Sequence, residues 1–342
     1  MQISDLIFNV AVLFIMMVPG VILKLTKMVP DGFGKGLSNL VLYLAQPALI
    51  VNAYLSSEKS FSEIWENVLA VLALSLVAHV IFTVAALSLF KNAPEARQKM
   101  LRFATIFSNA AFMGIPLVQA IFETRPEVAI YATVYNVTFN LFLWTLGVHL
   151  CTRNKGQDMD GDGDSDITDE LISAAKNVKK EGSFLKVLLH PVTLASAVGI
   201  ILLVFGVNSV ELEEAGLKII NKILGNLAGL VAPLSMVVIG LRIPDIRPGN
   251  TFREANTYVF LALRHLILPL LTLGVIKLLI LVGISISYDP IIVTIIMAAA
   301  PAASSATMFA EKYNCDAAYV STLVITSTLL SIGTMPLLIM LV

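Results

Sequence analysis

The chain has 342 residues, 57% of them hydrophobic and only 14% charged, against about 25% charged in ordinary soluble domains. A water-soluble fold of this size could not cover so much apolar surface. The net charge of −1 offers no concentrated basic face to nucleic acid, which is therefore not an expected partner. Two cysteines, Cys151 and Cys315, imply no disulfide framework.

The charges fall in short clusters, and the stretches between them can cross a hydrocarbon core of about 30 Å, which takes roughly 20 helical residues. In chain order the predicted spans are Ile3 to Leu25, Gly36 to Ser56, Asn67 to Phe90, Phe103 to Phe122 and Val128 to Cys151. A polar segment follows, and then Val187 to Val207, Ala215 to Leu241, Ala255 to Val282, Pro290 to Ala310 and Ala317 to Val342. The expected fold class is an all-α membrane protein of ten helices, since long apolar runs without alternation exclude a barrel. The N-terminus carries Asp5 in an apolar run, with no basic leader and no small-residue cleavage site, and reads as a retained first helix. Of the 23 Lys and Arg residues, 17 lie on one side of this layout. Lys59, Arg125, Lys218 and Lys222 lie on the other, and Arg264 and Lys277 lie within a span. The basic side is expected to be cytoplasmic, with both termini outside, in a multi-pass cell-membrane protein.

The prolines suggest a duplication. Pro47 and Pro233 are 186 residues apart, Pro116 and Pro301 are 185 apart, and Tyr131 and Tyr319 are 188 apart. An odd number of spans per half makes the second copy enter from the opposite side, which is the inverted-repeat plan of many secondary carriers. The expected units are residues 1–152, a cytoplasmic linker over 153–186, and residues 187–342.

Spans four and nine carry the chemistry. Span four reads Ser108-Asn109-Ala110-Ala111-Phe112-Met113-Gly114-Ile115-Pro116, and span nine reads Ala298-Ala299-Ala300-Pro301-Ala302-Ala303-Ser304-Ser305. Proline removes a backbone donor and glycine loosens a helix. Freed backbone groups are tolerated at membrane depth only in protein or against an aqueous cavity. The predicted substrate contacts are Asn109, Met113, Gly114, Ile115 and Pro116 from one break, and Ala300, Pro301, Ala302, Ser304 and Ser305 from the other. Half-helix N-termini there can hold a carboxylate without a buried cation.

Three passages carry a resemblance: Tyr43-Leu44-Ala45-Gln46-Pro47-Ala48-Leu49-Ile50, the run Phe107 to Leu117 containing Asn109-Ala110-Ala111-Phe112-Met113-Gly114-Ile115-Pro116, and Pro301 to Tyr313. In these the chain resembles the auxin efflux carrier family, whose bacterial members share the pattern with plant PIN-FORMED relatives, over its whole length. The resemblance implies ten helices with unwound, crossed fourth and ninth spans, a scaffold and a transport domain in elevator-like motion, and carriage of auxin-like or malate- and malonate-like acids. It places Asn109 and Pro116 at one crossover and Pro301 at the other. Ala302 and Ala303 depart from the family, which often carries a polar amide nearby.

Elsewhere, Asn136 and Asn140 lie one turn apart on span five, as substrate contacts or as interhelical hydrogen bonds. Asn52, Thr326 and Thr328 are weaker candidates of the same kind. His79 is a candidate proton relay, whereas Arg264 and Lys277 read as snorkelling to the interfaces. The run Asp158-Met159-Asp160-Gly161-Asp162 imitates a calcium loop, with Asp158, Asp160 and Asp162 as ligand positions and Asp169 where a bidentate Glu is usual. A solvated acidic linker is the default, with no metal and no cofactor expected. The function read from the sequence is a secondary transporter, not an enzyme, for small organic anions, with the bilayer as its solvent and a homodimer left open. The rival is a sodium-coupled organic anion symporter of the bile-acid type. The remoter rival, an intramembrane aspartyl protease, fails because Asp162 and Asp164 lie in a polar loop and Asp289 at the opposite face, whereas that chemistry needs two adjacent carboxylates.

Overall fold

The computed structural model describes residues 3–57, 59–152, 189–207, 218–246, 249 and 251–342. The predicted linker and its calcium-like run lie outside the described residues. Each of the ten predicted ranges holds helix. Among the described residues, seven helical stretches are long and apolar enough to cross a membrane, and Ala110–Ile121, Pro191–Val204 and Tyr288–Ala299 are shorter apolar helices.

The first range, expected as one rod, is α1 (Ile3–Ile15) and α2 (Val18–Leu25). Pro19 removes a donor and crowds the carbonyl four residues back, so the chain turns at Met16 and Met17 before resuming. The second is α3 (Phe33–Leu40), a π turn over Val41–Ala45 and α4 (Gln46–Leu55). Helix α5 (Phe61–Ser88) starts six residues earlier than expected because Ser60 and Glu63 form a capping box, the Ser60 amide donating to Glu63 Oε2 at 2.7 Å. Its surface inverts that of a soluble helix. Leu69, Leu72, Leu76, Val80 and Val84 are exposed, whereas Ser75, His79 and Thr83 are buried, as expected where lipid is the solvent.

Range four is α6 (Glu95–Ile106), a non-helical step, a π turn over Ala110–Gly114 and α7 (Ile115–Ile121). Range five is α8 (Pro126–Phe142), a π turn over Leu143–Gly147 and α9 (Val148–Thr152). The remainder is α10 (Pro191–Val204), α11 (Lys218–Ala228), α12 (Val231–Arg242), α13 (Ala255–Ala262), a π turn over Leu263–Ile267, α14 (Leu268–Leu281), α15 (Tyr288–Ala299), α16 (Ser305–Lys312) and α17 (Ala317–Ile339).

Two packing groups emerge. Helix α2 packs on α12, and α4 packs on α10 and α11. Helices α5, α8 and α15 also pack together, as do α15 with α14 and α17, and α16 with α17, and the two groups meet where α4 packs on α8 and α1 on α7 and α17. The α2–α12 crossing is backbone on backbone: a Cβ at Gly240 would stand 2.0 Å from the Met17 carbonyl oxygen, and one at Gly20 would stand 2.3 Å from that of Val237. Only glycine permits that approach.

Candidate functional site

The fourth and ninth ranges are both broken, and the breaks meet. Helix α6 ends at Ile106 and α15 at Ala299, and the two steps pair as a short antiparallel bridge between Ser108 and Ala302. The Asn109 amide donates to the Pro301 carbonyl at 2.7 Å, and the Ala303 amide donates to the Phe107 carbonyl at 2.8 Å. Each break thus satisfies backbone groups that the other has freed. Pro301 lies in its break, with Ala300 extended before it at φ −56° and ψ 146°. Pro116 does not. It sits in the first turn of α7, where a proline is tolerated. The bridge pairs positions 194 residues apart, so Pro116 and Pro301 are not equivalents at the breaks, although their spacing suggested it.

From each break a half-helix departs. Asn109 heads the turn over Ala110–Gly114, its carbonyl accepting from the Met113 and Gly114 amides at 3.0 and 3.1 Å. The amides of Ala110, Ala111 and Phe112 then open the helix, where no intrahelical acceptor exists. Met113, Gly114, Ile115 and Pro116 are buried behind that turn, and Gly114 lies so close to the Met297 Sδ that an added Cβ would stand 2.6 Å from it. Gln46, on α4, donates to the Ala111 carbonyl at 2.7 Å. On the other side, Ser304 is buried and its carbonyl accepts from Arg242 Nη1 at 3.0 Å.

Around the breaks lies a set of buried polar atoms without partners: Asn109 Nδ2, Asn136 Oδ1, Asn140 Nδ2, Ser305 Oγ and Gln46 Oε1. Such atoms cost about 1–3 kcal/mol each when nothing meets them. The Tyr135 hydroxyl stands beside Ser108, and Phe107 lies edge-on to Phe139, with ring centroids 5.7 Å apart, so this part of α8 abuts the first break. Asn136 Oδ1 and Asn140 Nδ2, one atom of each amide, meet no hydrogen-bond partner. Thr328 does bond its own backbone, donating to Val324 at 2.9 Å.

Sequence reasoning singled out Arg264 but misread it as snorkelling. It is fully buried and does not snorkel. Nη1 donates to the Thr105 carbonyl at 3.1 Å, Nη2 to those of Ala298 and Ala300 at 2.9 and 2.7 Å, and Nε to Ala300 at 3.1 Å. Its guanidinium carbon lies 5.0 Å from the centre of the Phe82 ring. The acceptors are the carbonyl ends of α6 and α15, where helix dipoles place partial negative charge. One cation therefore caps both C-terminal ends, leaving the N-terminal ends uncapped.

Two histidines adjoin this centre. His79 Nδ1 is 2.7 Å from the Ser75 carbonyl, which accepts only if that nitrogen carries the proton. Its ring stacks obliquely on Tyr135 at 5.3 Å and Phe142 at 5.1 Å. His265 joins Ser327 at 2.8 Å and Thr334 at 3.1 Å, and the Ser327 oxygen accepts from the Ala302 amide at 2.9 Å. The ninth-range break is thereby tied to α17.

Away from the centre, two ion clusters hold helix starts together. Arg97, at the start of α6, pairs with Glu254 before α13 and with Asp316 before α17, the latter at 2.8 Å. Arg125, before α8, pairs with Asp289 at the start of α15, and Glu127 joins Lys59 at 3.1 Å. The hydrogen bond to Asp289 raises the pKa of the Arg125 guanidinium above its ordinary value. No group of His, Cys, Asp and Glu that could hold a metal occurs among the described residues.

A bundle of apolar, lipid-facing helices is the build of an integral, multi-pass membrane protein. The model of a family described as "Membrane transport protein" matches residues 5–339. An uncharacterized transporter of Methanothermobacter thermautotrophicus is similar at 24% identity over 335 residues, covering 98% of this chain and 96% of the relative. The chain belongs to the membrane transport protein family, that of the auxin efflux carriers.

Proposed function

We propose that the protein is a secondary carrier of small organic anions, auxin-like or malate- and malonate-like carboxylates, which bind at the paired breaks. One observation carries this reading. Arg264 satisfies the C-terminal ends of the broken helices, while the N-terminal ends stay uncapped beside the unpartnered donors Asn109 Nδ2 and Asn140 Nδ2. Unpartnered N–H groups, helix-start dipoles and a resident positive charge together favour a carboxylate over a cation.

Ten spans in two inverted repeats, with the fourth and ninth crossing, fit the contacts. Asn67 Nδ2 donates to the Tyr131 hydroxyl at 3.0 Å, and Thr257 bonds the Tyr319 hydroxyl at 3.1 Å, the same joint between the third and fifth spans of each half. The two ion clusters likewise join equivalent helix starts: the fourth, eighth and tenth in one, the ninth, third and fifth in the other. The packing groups fit a scaffold of spans one, two, six and seven and a moving body made of the rest, as alternating access by an elevator requires. The cytoplasmic placing of the linker and the outward termini rest on the distribution of Lys and Arg.

The test is counterflow of labelled malonate, malate and indole-3-acetate in proteoliposomes. Asn109→Ala is expected to lower flux about tenfold or more, the worth of one hydrogen bond to a charged group at about 1.5–3 kcal/mol, with thermal stability retained. Unaltered flux in that variant would remove Asn109 from the site, and no counterflow of any carboxylate by the wild type would remove the anion.

A further inference from the structure

We propose that the substrate is a carboxylic acid that also carries a hydrogen-bond donor, a hydroxyl or an N–H, and that Gln46 is the side chain that selects it. The proposal rests on the carrier reading above and sharpens its substrate class. It starts from the local chemistry of the second predicted span. Pro47 has no N–H and crowds the carbonyl four residues back. The chain answers with the π turn over Val41–Ala45, where the Gln46 amide bonds to the Val41 carbonyl five residues away. Turns of this kind recur at functional sites. The Gln46 side chain, fully buried, reaches from α4 to the first turn of the half-helix beyond the fourth-range break.

That contact fixes which way the amide faces. A main-chain carbonyl only accepts, so the atom 2.7 Å from the Ala111 oxygen is Nε2, and Oε1 is left buried with no partner. Around the same breaks a second acceptor, Asn136 Oδ1, and two donors, Asn109 Nδ2 and Asn140 Nδ2, are also unpartnered. Atoms of both kinds stand open and have not bonded to one another, so they are no internal network that merely holds helices together. An ionised carboxylate offers acceptors only. It answers the amide nitrogens and the uncapped main-chain N–H groups, but it meets Gln46 Oε1 as one partial negative charge meets another. A bare dicarboxylate such as malonate or succinate therefore leaves that oxygen unsatisfied, whereas the hydroxyl of malate or the indole N–H of indole-3-acetate satisfies it. A site with a buried group built for a substrate donor discriminates against the analogue that lacks it. Because one end of the Gln46 amide holds the Ala111 carbonyl, the half-helix that receives the carboxylate and the oxygen that receives the donor are kept in register.

Isothermal titration of the purified protein with two matched pairs tests this: malate against succinate, and indole-3-acetate against its N-methyl derivative. In each pair that binds, the donor-bearing acid is expected to bind about fivefold tighter or more, the low end of what one unsatisfied buried group costs. Gln46→Met, similar in length but without the amide, is expected to bring that ratio close to unity. Should the Met variant fail to fold, Gln46→Asn keeps the amide but withdraws it by one methylene, and the same narrowing is expected. Equal affinities within each pair in the wild type would overturn the proposal and leave the anion reading standing. A variant that weakens both members alike, with the ratio kept, would make Gln46 a structural prop and overturn its assignment. Failure of every one of these acids to bind would strike the anion reading itself, and this proposal with it.

Discussion

Asn140 Nδ2 is buried and unpartnered on a helix whose neighbours could have met it. If it exists to glue helices, replacing it with an apolar residue lowers stability. If it exists to meet a substrate, the replacement removes an unsatisfied donor and stability holds or rises. Asn140→Leu is expected to lose most counterflow while its melting temperature is unchanged or higher, and a lower melting temperature with intact flux would reverse the assignment. The asparagines were legible because an amide amid apolar residues is conspicuous in a string of letters. Arg264 stood out as well but was misread, because its partners are main-chain carbonyls of other spans, which no letter encodes. Ser327 was hidden for the same reason, since a hydroxyl that serves a distant amide looks like any hydroxyl in a membrane helix.

At the scale of elements, the breaks illustrate how far composition reaches. Pro301 marks its own break, and the run of alanines and serines around it leaves room for a neighbouring backbone. The other break was expected over Ser108 to Pro116 and falls at its first end, Phe107 to Asn109, because its position is set by pairing with Pro301 and Ala303 and not by the nearest proline. The division of the first range at Met16 and Met17 follows from Pro19, a local signal that apolar run length overrode. The α2–α12 crossing has no such signal, since neither Gly20 nor Gly240 sits in a repeating small-residue motif of its own helix. Gly240→Val places a side chain where the Met17 carbonyl stands. That variant is expected to lower the melting temperature by several degrees, as overpacking of about 1–3 kcal/mol does, and an unshifted melting curve would show that the crossing tolerates separation.

For the whole molecule, the two packing groups make a mechanical claim. Asn9 on α1 donates to the Ala120 carbonyl on α7 at 3.0 Å, spanning the boundary between them. With Cys151 and Cys315 replaced by serine, a reducible cross-link between Asn9→Cys and Ala120→Cys is expected to stop counterflow, and reduction to restore it. Full flux in the linked protein would mean that the groups do not slide past each other there. The layering was legible from the alternation of charge clusters and apolar runs, but the grouping was not, because it joins spans one and two to six and seven across the chain's midpoint.

The mutual hydrogen bonds between Phe107, Asn109, Pro301 and Ala303 also constrain biogenesis. During synthesis the fourth span is made long before the ninth, and until then its interrupted backbone sits in lipid with an unanswered amide and carbonyl, each costing several kcal/mol. The early half is a debtor awaiting its creditor. Expressed alone, residues 1–152 are expected to be degraded rapidly in pulse-chase labelling and to persist when residues 187–342 are supplied as a separate chain. Nascent chains of this protein are accordingly expected to be clients for membrane quality control up to the moment the last spans emerge.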